Sequence, residues 1–309
     1  MKILKIKYES PYLNDNKVAC IGFFDGVHLG HQELIKETIR VSKKTSSKSA
    51  IFTFEKSPKE VLKKEKVAYL TTNEDKIEMA EKLGIEEMII LEFDEIIANY
   101  SIEEFMSKII YPLGIKTLIF GFDFRFAKNG EGNANTLKKL QSKKFSVIEI
   151  PEVIKEGEKI STTRITQLLI NGFLEQANRL LGYDYKIRGK VVRGYGNGKK
   201  FGYPTANIDT NDYVIPKKGV YAVKVIVDGK IYGGMANIGN HPTVSEVKQL
   251  LLEVNIFDFD KDIYGKVIEV MFLYYMRDEV KFSSIDELIH QMDIDRKNAV
   301  SCIDNQKNI

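Results

Sequence analysis

Two of the four histidines in this chain, His28 and His31, stand three residues apart in GFFDGVHLGHQ (22–32), among Gly22, Gly26 and Gly30. Three arrangements fit those residue types: a tight core turn, a metal pair, or a cradle for phosphate. Imidazoles at i and i+3 lie on one face of a helix start, and both can donate to phosphate oxygens. Glycines let backbone N–H groups approach a ligand closely. A zinc site asks for further His or Cys ligands, and the sequence offers none nearby. The G-x-x-x-x-G-K-[ST] pattern of a P-loop occurs nowhere in the chain. On the local pattern alone, the plain turn and the phosphate cradle both stay open.

A second stretch with chemical potential is RGYGNGKKFGYPTAN (193–207). It is Gly-rich without a Walker pattern. Its successive N–H groups can wrap an anion as a nest, or it can simply be a turn leading into a strand. A third is Glu253 in LEVNIFDF (252–259). Glutamates in strands usually face solvent, and this one sits in an apolar run.

The elements that must position these groups come in two styles. Through the first half, VACIGFF, SAIFTF, EMIILEF, KTLIFGF and FSVIEI read as near-continuously apolar strands, as parallel strands covered on both faces do. Helices between them have recognisable starts. Thr72 with Asp75 and Ser101 with Glu104 have capping-box spacing, and Gly84 stops the first of these helices. The alternation predicts a Rossmann-like, doubly wound α/β domain with a parallel sheet. GFFDGVHLGHQ is then its first strand-to-helix turn. Ligands collect there at the carboxyl ends of strands, and a helix N-terminus offers N–H groups and a positive dipole end.

After Gly182, YKIRGKVV, GVYAVKVIV, KIYGGMANIG, LLEVNIFDF and KVIEVMFLYY follow with no helix between them. Asp228-Gly229 between two of them is the strongest hairpin signal in the chain. This predicts a small antiparallel β-barrel or sandwich, closed by a helix that starts near Ser284 with Glu287 three residues on. The two-helix segment TRITQLLINGFLEQANRLLGYDY marks the boundary, so the expected domains are 1–182 and 183–309.

The bulk numbers agree with two soluble domains: 309 residues, 43% hydrophobic and 29% charged. A net charge of +3 is too weak to argue for nucleic acid and is compatible with anionic small ligands. Cys20 and Cys302 stand far apart, so a disulfide framework is not expected and a reducing compartment fits. The opening MKILKIKYESPYLNDNK breaks into charges at once, which argues against a signal peptide. No uncharged run approaches the roughly 18 apolar residues of a membrane helix. The expectation is a cytoplasmic protein without membrane or nucleic-acid partners. Homo-oligomer formation is left open.

HLGH resembles the H-x-G-H signature of nucleotidyltransferases. With its flanks, GFFDGVHLGHQ is similar to the opening motif of the bifunctional riboflavin kinase/FMN adenylyltransferases, the prokaryotic FAD synthetases. The resemblance recurs in order along nearly the whole chain. TFEKSP (53–58), GFDFRFAKNGEGN (121–133) and ISTTRI (160–165) match the first domain. GKKFGYPTANI (198–208), GVYAV (219–223), NIGNHPT (237–243), LEVNIFDF, YGK (264–266) and RDEVKF (277–282) match the second. The resemblance implies two reactions. Riboflavin takes the γ-phosphoryl of ATP to give FMN. FMN then attacks the α-phosphorus of a second ATP to give FAD and pyrophosphate. It also implies Mg²⁺.

The two steps need different equipment. Riboflavin attacks through a neutral alcohol, so a general base helps. FMN's phosphate is already an anion near pH 7, with a second pKa of about 6 by analogy with phosphoserine. It needs positioning and charge cancellation instead.

The resemblance also implies site residues. In the first domain His28, His31 and Arg164 are catalytic, and Gly22, Phe23, Asp25, Gly30, Asp123, Arg125, Ser161 and Thr162 hold ATP. Phe54, Pro58 and Phe126 border the flavin. In the second domain Glu253 is the catalytic base, and Gly196, Gly198, Lys199 and Gly202 wrap ATP. Thr205 and Asn207 hold Mg²⁺, whose preference for oxygen donors they suit, and Arg277 closes on the flavin. The chain departs from the family pattern at Ala127, Thr162, Thr163, Thr166, Lys199 and His241. Lys for Arg at 199 keeps the charge and loses the bidentate fork. Two narrower readings are that one activity alone is retained, or that the chain is a flavin-binding regulator on an enzyme scaffold.

Overall fold

The structure, a computed structural model, describes residues 1–13, 15–194, 198, 202–210, 212–240 and 250–305. The chain divides into two compact units, Met1–Thr162 and Thr163–Ile309.

The first unit is built on six parallel strands: β1 Lys2–Ile6, β2 Lys17–Ile21, β3 Lys48–Phe54, β4 Glu87–Leu91, β5 Ile115–Gly121 and β6 Ser146–Ile150. Their order is β1-β4-β3-β2-β5-β6. The five apolar runs form β2 to β6 as expected. The sequence reading did not anticipate β1, whose KILKI is largely exposed and takes the edge beside β4. Two apolar clusters cover the two faces of the sheet, one around Phe52, Ile109 and Phe120 and the other around Cys20, Ile35 and Ile119.

Local signals set the helix starts. Thr72 and Asp75 form a reciprocal capping box on the helix Asn73–Leu83, and Gly84 ends it in the left-handed region at φ 91°. Ser101 and Glu104 form a second box, after which the helix runs on as a π-turn over Phe105–Ile110. A two-stranded hairpin, β7 Ile154–Lys155 with β8 Glu158–Lys159, follows the sheet.

The second unit starts with the helices Thr162–Ile170 and Leu174–Leu181. Asn178 ties the latter to the barrel, donating to the Phe272 carbonyl at 3.0 Å and accepting from the Tyr185 N–H at 2.9 Å. The barrel itself closes in the order β10-β13-β12-β11-β14-β9. Its strands are β9 Lys186–Val192, β10 Ala206–Ile208, β11 Gly219–Val227, β12 Lys230–Asn240, β13 Leu250–Ile256 and β14 Val267–Arg277, and every pairing is antiparallel. Asp228 and Gly229, both at positive φ, make the two-residue turn between β11 and β12.

Inward-facing Tyr221, Val223, Leu252, Val254, Val270 and Phe272 fill the barrel. The last helix, Ile285–Asn305, lies on its outside, with Ala299 and Ile303 against Ala222, Met235 and Leu273. As expected, the Ser284 hydroxyl caps the start of this helix, accepting from the Glu287 N–H at 3.1 Å.

Candidate active sites

In the first unit the chain reverses its sheet order at β2. From there β3 and β4 build one way, and β5 and β6 the other. The loops leaving β2 and β5 therefore diverge and open a crevice at their carboxyl ends. GFFDGVHLGHQ leaves β2 there.

Its backbone is strained: Phe24 at φ 55° and the β-branched Val27 at φ 35° occupy the left-handed side, with Gly26 at 79°. Such residues cost on the order of 1–3 kcal/mol each and persist only where the surroundings impose them. Asp25 and its neighbours do the imposing. Its buried carboxylate accepts from the Leu70 N–H at 2.8 Å and the Thr71 N–H at 3.1 Å. The Gly26 N–H donates to the Thr71 hydroxyl at 2.8 Å. The Thr162 hydroxyl donates to the Asp25 carbonyl at 3.0 Å, and that of Thr53 to the Phe23 carbonyl at 3.1 Å. Asp25 and Thr162, expected on ATP, thus have these polar groups engaged in holding the turn.

The turn delivers the two imidazoles as a stacked pair, ring centroids 3.7 Å apart and planes 15° from parallel. His28 caps the helix Leu29–Lys44, its Nδ1 accepting from the His31 N–H at 3.3 Å. A Cβ on Gly30 would come 3.2 Å from the His28 ring, a tight contact that would press on the ring. His31 Nδ1 is buried and finds no hydrogen-bond partner among the described residues. Burial pushes the His28 imidazole down to about 4. Burial also holds His31 well below the ordinary imidazole range, with the His28 and Lys76 charges adding to it. Both rings are neutral at pH 7: they offer N–H donors rather than positive charge.

The other expected residues of this unit are spread more widely. Asp123, after β5, is exposed and paired with Lys159 at 2.5 Å. Arg125 is exposed, and Pro58 opens the short helix Pro58–Lys63. Phe54 and Phe126 are buried core side chains. Phe54 packs on Phe52 and Phe93, and Phe126 stacks on Phe124. Aromatic packing places both in the hydrophobic cluster of the first unit. Ser161 is half-buried, and Arg164, also half-buried, belongs to the second unit.

In the second unit the site is made by strand register. Cα partners run Arg277–Val220–Asn237–Glu253–Asn207 across β14, β11, β12, β13 and β10. Directly opposed residues share a face. Glu253 therefore stands between Asn237 and Asn207 on the outer face, while its neighbours Leu252 and Val254 fill the core. This resolves the apolar run around it: the alternation is core and site, not core and solvent. A cavity of about 410 Å³ lies over the row, lined by Glu253, Asn237, Asn255, Thr205, Arg277 and Asp295.

Arg277 is fixed by Asp295 of the last helix through Nε at 2.9 Å and Nη2 at 2.5 Å. Asn255, 4% exposed, donates to the Pro204 carbonyl at 2.7 Å and so holds the PTAN segment from the adjacent strand. A second cavity of about 430 Å³ is lined by Pro204, Thr205, Ala206, Phe259 and Tyr264 among others, and shares Thr205 with the first.

Thr205 and Asn207 bring a hydroxyl and an amide oxygen to one side of their segment, a set that suits a hard divalent cation. The glycine-rich segment passes close over both. A Cβ on Gly194 would sit 2.1 Å from Asn207 Nδ2, and one on Gly198 3.3 Å from Thr205 Oγ1. Gly202 is at φ 81°. Gly196, Lys199 and His241 lie outside the described residues. Sequence reasoning missed Asn237, Asn255 and Asp295; only the pairing register and the helix placement reveal them.

A crevice at the switch point of a parallel sheet, followed by a barrel with a carboxylate-centred outer site, defines a two-unit enzyme of nucleotide and phosphoryl chemistry. The FAD synthetase family model matches residues 10–164 and the riboflavin kinase model residues 181–303. A bifunctional riboflavin kinase/FMN adenylyltransferase of Listeria monocytogenes is 39% identical over 91% of this chain and 91% of its own length. That of Bacillus subtilis is 36% identical over 99% of both chains, and that of Escherichia coli K12 36% identical over 89% of both. A crystal structure described as a macrolide-efflux protein from Streptococcus pneumoniae superposes with a TM-score of 0.87 at 32% identity, covering 96% of this chain and 98% of that one. Among the described residues no helix is long and apolar enough to cross a membrane. The chain belongs to the bifunctional riboflavin kinase/FMN adenylyltransferase family.

Proposed function

We propose that the two reactions are divided along the chain: residues 183–309 phosphorylate riboflavin, and residues 1–182 adenylylate the FMN produced. The observation that carries this division is the contrast between the sites. Glu253 is a carboxylate in a row of amides facing a cavity, suited to take a proton from a neutral alcohol. The histidine turn has neutral N–H donors at a helix start and no carboxylate free of backbone duties, suited to an attacking phosphate that is already an anion.

In the barrel, riboflavin enters the cavity that Glu253 lines, and ATP enters the one beyond Thr205. Thr205 and Asn207 hold Mg²⁺, which supplies charge neutralisation to the transferred phosphoryl group. Glu253 accepts the alcohol proton as oxygen attacks the γ-phosphorus, and Arg277, oriented by Asp295, borders the flavin. In the first unit His28 and His31 donate to the phosphates of the second ATP and to the departing pyrophosphate, and Ser161 adds a hydroxyl to the anion site. Two free thiols, Cys20 and Cys302, accord with a cytoplasmic setting.

The test is incubation with riboflavin and Mg-ATP, followed by separation of the flavins. FMN appears first and FAD follows. Absence of FMN from riboflavin, or of FAD from supplied FMN, removes the corresponding half.

A further inference from the structure

The neutral histidine pair leaves a question of charge. A polyphosphate reaction needs cations, and these two rings supply dipoles. On the helix Asn73–Leu83 stands Lys76, a lysine only 2% exposed. Lysines are almost never so buried without a carboxylate partner. Among the described residues its ammonium makes no ion pair or hydrogen bond. It rests on the face of Phe23, 3.8 Å from the ring centroid. Phe23 belongs to the histidine turn, and Tyr69 backs its ring at 5.5 Å.

Two constraints hold Lys76 there. The Thr72–Asp75 capping box fixes the start of its helix. The Asp25 carboxylate, through Leu70 and Thr71, bolts the segment before that helix to the histidine turn. The groups whose charge Lys76 feels are Asp25, Asp75 and His31. An ammonium held against an aromatic face beside an imidazole whose Nδ1 is also unpartnered is a pre-built half of an anion site.

We infer that Lys76 is a further catalytic residue of adenylyl transfer, its ammonium taking a phosphate oxygen of ATP or FMN beside His28 and His31. This rests on the adenylyl-transfer reading of the first unit. Burial pushes the ammonium down to about 8, so the free enzyme carries the charge at neutral pH and loses it as pH rises through that value. Phosphate binding holds the proton on.

The test uses the full chain. Initial rates of FMN to FAD and of riboflavin to FMN are measured for the parent, Lys76→Met and Lys76→Arg, with FMN and ATP each varied. Removing one preorganised donor typically costs about 10²–10³ in rate. Lys76→Met should lose that much of kcat/KM for FAD formation, with riboflavin phosphorylation unchanged. Lys76→Arg should recover at least about tenfold of it, which a merely structural lysine would not require. A rise in KM for ATP or for FMN identifies whose phosphate is held. FAD formation by Lys76→Met within about threefold of the parent, far below that range, overturns the inference.

The parent gives a second reading that needs no variant to fold. Its kcat/KM for FAD formation should fall above about pH 8 while the kinase step does not share that limb; a flat profile to pH 9.5 overturns the inference. A parent that makes no FAD from FMN at any pH refutes the function of the unit, which is a different failure.

Discussion

The histidine turn and the glutamate row solve opposite problems with opposite materials. The turn is irregular backbone, with left-handed Phe24 and Val27 bolted down by hydrogen bonds donated by Thr53 and Thr162 and one accepted by Thr71. It presents backbone N–H groups and two uncharged rings. The row is a strand ladder: paired residues across five strands put Arg277, Asn237, Glu253 and Asn207 on one face, none of them at positive φ, with a register shift in the β11–β14 pairing beside Val220. It presents side chains, with a carboxylate at the centre. Under the proposed division of the two reactions, the difference follows from the nucleophiles. An anion must be held close to other anions, which calls for donors and close backbone approach. An alcohol must lose a proton, which calls for a base at a defined distance, and a rigid sheet supplies that.

The sharpest break in this comparison is removal of both imidazoles. His28→Ala with His31→Ala should lower FAD formation from FMN by at least about 10³, since each donor typically carries 10²–10³. FMN formation from riboflavin should continue at the parent rate. Loss of both activities in a folded variant would show that the sites are not separable.

Gly194→Ala probes the other side. A Cβ there meets Asn207 2.1 Å away, and backbone or amide must move. Displacing a substrate-positioning group by about 1 Å can cost about 10²-fold, so the kinase rate should drop by that order and adenylylation should not. An unchanged kinase rate would mean that Asn207 does not need its present place.

The smallest effect is on stability. Burial makes both imidazoles bind protons less readily in the folded chain than in the unfolded one. Their contribution is therefore full above the ordinary value of 6.5 and is lost as pH falls, for His28 toward about 4. At about 1.4 kcal/mol per pKa unit, His28 alone costs on the order of 3 kcal/mol at the acid end. Melting of the first unit should fall from pH 7 to 5, and His28→Asn should flatten the slope. A parent melting profile without that slope would mean the rings are better hydrated than the fold indicates.

Much of this was legible in the residues. Capping boxes at Thr72 and Ser101, the stop at Gly84 and the Asp228-Gly229 turn are local chemistry, and each formed as its spacing requires. GFFDGVHLGHQ lies where strand–helix alternation puts it. What was not legible depends on contacts distant in sequence. Asn237 flanks Glu253 only through the β12–β13 register, and Asn255 reaches Pro204 only because β13 lies beside β10. Lys76 reads as an ordinary helix lysine until Phe23 comes under it. Phe54, at the end of an apolar strand, reads as fit for a ligand edge as for the core; it packs on Phe52 and Phe93, and Phe126 stacks on Phe124, contacts made by residues that local spacing does not pair. β1 was passed over because its alternating lysines suit an edge strand as well as a solvated tail.

The division of labour is tested most directly by paired initial rates for the parent and Glu253→Gln, riboflavin to FMN and FMN to FAD. Glutamine keeps the size and hydrogen-bonding reach and cannot accept the proton at neutral pH. A general base typically contributes about 10²–10⁴-fold. The kinase rate should fall by that factor while FMN is converted to FAD at close to the parent rate. A kinase rate within about threefold of the parent, or an equal loss in both steps, would contradict the assignment of Glu253 as the base and of proton removal to the barrel alone.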